Sequence, residues 1–131
     1  MGHSIICSYE DMEKARENWV HRTTNGYTPW QLVQITDVVA YIEQKAADIR
    51  KDCEERGVTC FTTPYPERGK DFINAYEYEK HMAFGEYSDI FKEVHGYRPT
   101  ISIKSVGLHE IEDSIGRLHD MAENAREKRD I

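Results

Sequence analysis

The chain has few cysteines, no long apolar run and no cluster of bases, and each shortage excludes a class of protein. Its three cysteines, Cys7, Cys53 and Cys60, form no CxxC pair, so we expect reduced thiols rather than a disulfide framework. No stretch approaches the roughly 18 apolar residues of a membrane helix, and the N-terminus lacks the apolar core of a signal peptide. These shortages predict a cytoplasmic protein that does not enter a membrane.

The net charge of −7 is dispersed along the chain, with bases interleaved among the acids. No run of Lys or Arg offers a stripe that would neutralise phosphates, which disfavours ordinary electrostatic DNA binding. A dispersed acidic surface is typical of a soluble protein. An acidic DNA mimic carries the same sign of charge and remains an alternative.

The sequence contains no recognisable catalytic or metal-binding motif. His81 and His95 lie far apart along the chain, and no HxxxH or HExxH spacing occurs. Glycines are scattered rather than gathered into a phosphate-binding loop. We therefore predict no catalytic residues, no metal and no cofactor. A small enzyme that unites distant residues such as His81, Glu79 and Arg98 is a further alternative.

At 131 residues the chain fits a single domain over 1–131, and helical patterns fill most of it. The best helix start is a capping box, with Thr28 as N-cap, Pro29 at the first helical position and Gln31 closing the box. Apolar residues then recur at steps of three and four, and no stop signal occurs before Gly57. We predict one long helix over about 28–56.

A C-terminal helix over about 106–128 carries a narrower apolar seam, which is typical of a helix that pairs with one other helix. It should lie against the long helix or against a second copy of the chain, so self-association through helical seams is expected. Shorter helices are predicted over about 9–22 and 71–84.

Two β-branched stretches predict a small sheet. Residues 58–63 read VTCFTT and end at a proline, and residues 100–104 read TISIK, which alternates. We predict that the two pair as a two-stranded β element beside the helices. The predicted fold is thus a mostly α-helical bundle with a small β element.

Residues 84–100 read FGEYSDIFKEVHGYRPT and are explained mainly as a short helix with well-made ends. Ser88 is the predicted N-cap, and Gly96 is the predicted left-handed residue after the last turn. Tyr97 should then fold back toward Phe91 or Lys92. The helix does not by itself require Tyr87, Lys92 or Arg98.

Arg98 precedes Pro99, so its backbone is biased to an extended conformation that directs the guanidinium outward. Such a group suits a bidentate acceptor, which is either internal, at Asp89 or Glu93, or on a partner. The residues predicted to bind a partner are Tyr87, Lys92, Arg98, Tyr97 and Tyr78.

Most of the aromatic residues lie between residues 61 and 97. They either fill the core or, interleaved with Lys70, Lys80, Lys92 and Arg98, stack bases or anchor a partner. Stacked bases would give a nucleic-acid or nucleotide-binding protein, which is the alternative function. Tyr76 and Tyr78 are two residues apart and cannot share one helix face, so we expect some aromatic rings to be exposed.

A resemblance rests on the pattern Tyr87-Ser88-Asp89, Phe91-Lys92-Glu93 and Gly96-Tyr97-Arg98-Pro99. This pattern, about thirteen of the 131 residues, resembles a segment of small uncharacterised accessory proteins of tailed bacteriophages and mobile elements. The resemblance implies a non-enzymatic phage-type protein, made in the host cytoplasm, that binds and inhibits or redirects a host protein in host takeover or anti-defence.

Overall fold

The computed structural model describes residues 12–14, 27–60 and 64–129. These residues are mostly helical, and the elements that follow residue 27 are α1 (Pro29–Gln34), α2 (Val38–Arg56), a 3₁₀ helix (Pro66–Asp71), α3 (Ala75–His95), a second 3₁₀ helix (Ile103–Ser105) and α4 (Leu108–Arg129). Residues 12–14 are helical too, and the remainder of the helix predicted over 9–22 lies outside the described residues. The predicted mostly α-helical fold is confirmed.

The predicted start of the long helix is confirmed, but its continuity is wrong. The Thr28 hydroxyl accepts from the Gln31 N–H at 3.2 Å, and the Gln31 side chain accepts from the Thr28 N–H at 2.8 Å. The helix then breaks at residues 35–37. Asp37 begins α2 by accepting from the Ala40 N–H at 3.1 Å.

Local and tertiary forces both favour this break. Ile35 and Thr36 are β-branched, which lowers their helix propensity, and Asp37 is a strong N-cap residue. The Ile35 carbonyl, released from the helix ladder, accepts from the Ala75 N–H at 2.9 Å. The break therefore ties α1 to the first residue of α3.

The prediction of a two-stranded β element is wrong. Residues 58–60 and 100–102 are irregular, and no strand occurs within the three described ranges; residues 61–63 lie outside them. Residues 103–105 instead form a 3₁₀ turn, in which the Ser102 hydroxyl accepts from the Lys104 N–H at 3.3 Å. Serine competes for the backbone in this way, so a five-residue alternation did not decide the conformation.

The helix predicted over 71–84 and the short helix after it form one element, α3. Asn74 is its N-cap and accepts from the Glu77 N–H at 2.9 Å. Ser88, the predicted cap of the short helix, lies inside α3, so that prediction is wrong. The predicted ends at Gly57 and Gly96 are confirmed, since both residues are left-handed, with φ of 69° and 85°.

α4 packs alongside α3 in the same direction. The Leu108 N–H at the start of α4 donates to the Tyr76 hydroxyl at 3.1 Å. Further along both helices, His119 lies 3.7 Å from Glu86. Residues 96–107 must therefore return the chain to the beginning of α3. The prediction that α4 pairs with the long helix is wrong, because α4 packs mainly against α3. Self-association through helical seams stays a prediction.

The core gathers around the first two turns of α3. Residues 75–80 of this helix are all buried. Ala75, Tyr76 and Tyr78 among them form one cluster with apolar side chains of the neighbouring helices, including Leu32, Val38, Ile42 and Leu108. The first 3₁₀ helix covers the start of α2 closely enough that a Cβ on Gly69 would lie 2.5 Å from the Val39 backbone nitrogen. In the part of the chain described, no helix is long and apolar enough to cross a membrane.

Candidate functional site

Arg98 forms an internal ion pair, the first of the two alternatives that the sequence left open. Its Nη1 donates to Asp89 Oδ1 at 2.9 Å and to the Ser88 hydroxyl at 3.0 Å. Both charged side chains are largely exposed, so the pair contributes little to stability, about 0 to 1 kcal/mol. Its main effect is to hold the residues after Gly96 against the last turns of α3.

Four of the aromatic rings and one imidazole stack along one flank of α3, and we call this set the aromatic ladder. Its members are Phe84, Tyr87, Phe91, His95 and Tyr97, with neighbouring ring centroids 4.5 to 6.2 Å apart. Side chains three or four residues apart share a helix face, which accounts for the first four members.

Tyr97 joins the ladder because the chain reverses at Gly96. Its ring meets Phe91 edge-on at 5.7 Å, so the predicted fold-back of Tyr97 toward Phe91 is confirmed. Tyr97 is 62% exposed, more than any other tyrosine on α3 or directly after it. The ladder therefore ends in the Tyr97 ring, which packs against Phe91 and is otherwise largely exposed to solvent.

The five residues predicted to bind a partner do not form one surface. Tyr87, Tyr97 and Arg98 lie together on the second half of α3 and directly after it, and Lys92 is exposed on the same stretch. Tyr78 is only 3% exposed, between Tyr41 and Phe72, so we leave it out of the surface. Burial, with a smaller contribution from the charge of Glu79, raises the pKa of Tyr78.

A part-buried ion pair lies beside Tyr78. Glu79 Oε1 accepts from Lys45 Nζ and from the Tyr41 hydroxyl, each at 2.8 Å. The Lys45 ammonium also lies 5.7 Å from the centre of the Tyr78 ring. Sequence reasoning did not find this pair, because Lys45 and Glu79 belong to different helices and no local spacing relates them.

An open groove of about 780 Å³ runs along the side of α3 that adjoins α4, and we call it the acidic groove. Its apolar lining consists of Met82, Ala83, Ile90 and Ile115. Its charged lining consists of Lys45, Glu79, Glu86, Asp89, Glu93 and Glu112. The groove thus combines an apolar floor with five carboxylates and one ammonium.

The acidic groove and the Arg98 ion pair meet at Asp89, which lines the groove and binds Arg98. Lys45 and Glu79 stand at one end of the groove, because Glu79 belongs to the early turns of α3. Within the described ranges, no group of three or more His, Cys, Asp or Glu side chains converges in a way that could hold a metal ion. The carboxylates are spread along the groove, so they offer a negative field rather than a coordination sphere.

One local pattern in the sequence marks the acidic groove. Glu79, Glu86 and Glu93 recur every seven residues, which places them on one helix face, with Met82 and Ile90 between them.

No family model, curated protein or solved structure matches this chain.

Proposed function

We propose that the protein is a non-enzymatic, phage-type accessory protein that binds a host protein in the host cytoplasm and inhibits or redirects it. The acidic groove is the observation that supports this most directly. It is open along its length, it has an apolar floor, and carboxylates border that floor. Such a surface suits a partner segment that carries apolar side chains flanked by bases.

The length and charge of the groove indicate which kind of partner segment would fit it. From Glu79 to Glu93 the groove spans fourteen helical steps, or about 21 Å, which matches a partner helix of similar length. Lys or Arg side chains on that helix would meet Glu86, Glu93 and Glu112. Its apolar face would cover Met82, which is 43% exposed.

The aromatic ladder offers a second contact on the other flank of the same helix. Tyrosine rings are frequent anchors in protein interfaces because they bury a large area at a small cost in side-chain entropy. Tyr97 offers such a ring, held by its packing against Phe91, and Arg98 and Lys92 are close to it in the sequence. A nucleic acid is disfavoured at the groove, because carboxylates repel phosphates.

The test uses a synthetic peptide as the probe. A 14-residue amphipathic helix of lysine and leucine should bind the full chain with an affinity that falls as salt rises, measured by fluorescence anisotropy. A shuffled peptide of the same composition, in which the apolar face is destroyed, is the control probe. Equal binding of both peptides would contradict the proposal, because net charge alone would then explain the signal.

Matched charge reversals locate the binding. Glu86→Lys with Glu93→Lys should weaken the amphipathic peptide about tenfold or more, a loss of roughly 1.4 kcal/mol. Glu43→Lys with Glu55→Lys makes the same change in net charge on exposed positions of α2 and should have a much smaller effect. Equal weakening by the two pairs would rule out the groove as the site.

The cellular partner is sought with the same variants. Affinity purification from a bacterial lysate should yield a protein that the wild-type chain and the α2 control retain and that the groove variant loses. Tyr97→Ala should reduce retention of the same protein. A protein retained equally by all four chains would not be the partner proposed here.

A further inference from the structure

The end of α2 brings two cysteines together. Gly57 is left-handed, its N–H donates to the carbonyls of Cys53 and Glu54, and the Val58 N–H donates to the Cys53 carbonyl at 3.0 Å. This is a Schellman ending, which reverses the chain after the last helical turn. The reversal returns residue 60 to the side of residue 53.

The two thiols are adjacent and accessible. The side chains of Cys53 and Cys60 are within hydrogen-bonding reach of each other, neither is in a disulfide, and both are half-buried. A half-buried thiol is shielded from bulky reagents and open to small ones. The spacing of seven residues gave no sign of this pairing, because the reversal at Gly57 creates it.

We propose that Cys53 and Cys60 form a dithiol modification site, which a small disulfide such as oxidised glutathione converts into an intramolecular disulfide. The thiolate of one cysteine attacks one sulfur of glutathione disulfide and releases the first glutathione thiolate. The other cysteine then attacks the protein sulfur of the mixed disulfide and releases the second. Two electrons pass to glutathione, and the two thiol protons end on the two glutathione molecules.

The hydrogen bond with Cys60 is the main cause that raises the pKa of Cys53, and burial and the charges of Cys60 and Asp52 act in the same direction.

Peptide mapping tests the disulfide in the full chain. After incubation with glutathione disulfide, trypsin cleavage at Lys51, Arg56 and Arg68 should give peptides 52–56 and 57–68 joined by a bond that reduction breaks. Cys7→Ser should give the same joined pair at the same rate. Glutathione adducts without the joined pair, or a pair that contains Cys7, would overturn the proposal.

A further measurement separates a preformed site from two cysteines that are merely near in sequence. The joined pair should form several times faster in the folded chain than in guanidinium chloride, and an equal rate would overturn the proposal. None of these outcomes depends on the proposed partner.

Discussion

The two halves of α3 have similar helix-forming sequences but lie in opposite surroundings. Residues 75–80 are buried on every side, including the charged side chains of Glu77, Glu79 and Lys80. From residue 81 onward, α4 covers one face and most other positions are partly or fully exposed. The first half therefore holds the fold together, and the second half carries the aromatic ladder and most of the part of α3 that lines the acidic groove.

The comparison also shows that a charged residue in this helix is not always exposed. Glu79 in the first half and Glu86 in the second lie seven residues apart on the same face, yet one is 8% exposed and the other is on the surface. Glu79 is tolerated because Lys45 and Tyr41 both donate to it. A buried charge needs such partners, whereas a surface charge is solvated by water.

The largest expected difference between the halves is that between two tyrosines. Tyr76→Ala should lower the free energy of unfolding by about 3 to 5 kcal/mol, because it empties a buried site and removes the acceptor of the Leu108 N–H. Tyr87→Ala should cost about 1 to 2 kcal/mol, since it removes ring contacts on a partly exposed flank. Urea unfolding measures both values. Equal losses would mean that the second half is as tightly packed as the first.

A variant that keeps the ring isolates the hydrogen bond of Tyr76. Tyr76→Phe leaves the volume almost unchanged and should cost about 1 to 2 kcal/mol, much less than Tyr76→Ala. Similar losses for Phe and Ala would show that the hydroxyl, rather than the packing of the ring, anchors the start of α4.

The next expected difference is that between two ion pairs of nearly equal length. A double-mutant cycle on Lys45 and Glu79 should give a coupling energy of about 1 to 3 kcal/mol, because the pair is part-buried at 2.8 Å. The same cycle on Asp89 and Arg98, at 2.9 Å and exposed, should give about 0 to 0.5 kcal/mol. Raised salt should weaken the second coupling more than the first. Equal couplings would show that burial does not set the strength of these pairs.

Tyr78 gives the buried half a dependence on pH. Because burial raises its pKa in the folded state, its contribution to stability is present below the unfolded pKa of about 10 and is lost as pH rises beyond it. Wild-type stability should therefore fall above about pH 10, and Tyr78→Phe should make that fall shallower. Urea unfolding at several pH values checks this, and an unchanged slope in Tyr78→Phe would contradict it.

Predictions from the sequence succeeded where local chemistry decides the backbone. The capping box at Thr28, the left-handed glycines at 57 and 96 and the return of Tyr97 to Phe91 each depend on residues within one or two turns. Part of the candidate site follows from the same local rules, since the aromatic ladder is a helix face that ends in a reversal.

Predictions failed where distant contacts decide. The break at residues 35–37 is held by a hydrogen bond to Ala75, and the return of α4 to the side of α3 depends on Tyr76. The acidic groove needs both helices in place, and the Lys45 and Glu79 pair joins elements that no spacing relates. Ser88 looked like a helix start because its hydroxyl can accept a backbone N–H as an N-cap, but α3 runs through it without a break.

A small effect is expected at Gly85, a glycine inside the exposed half of α3. A helix-interior glycine costs about 1 kcal/mol relative to alanine, and a Cβ at this position would meet no atom within 4 Å. Gly85→Ala should therefore raise the free energy of unfolding by about 0.5 to 1 kcal/mol, and Gly116→Ala on α4, which is equally open, should act alike. Gly69→Ala should do the opposite, because its methyl group would collide with the Val39 backbone. Thermal and urea unfolding of the three variants measure the effects. A loss of stability in Gly85→Ala would mean that the exposed half of α3 needs the glycine to bend, and that its groove is not formed by a regular helix.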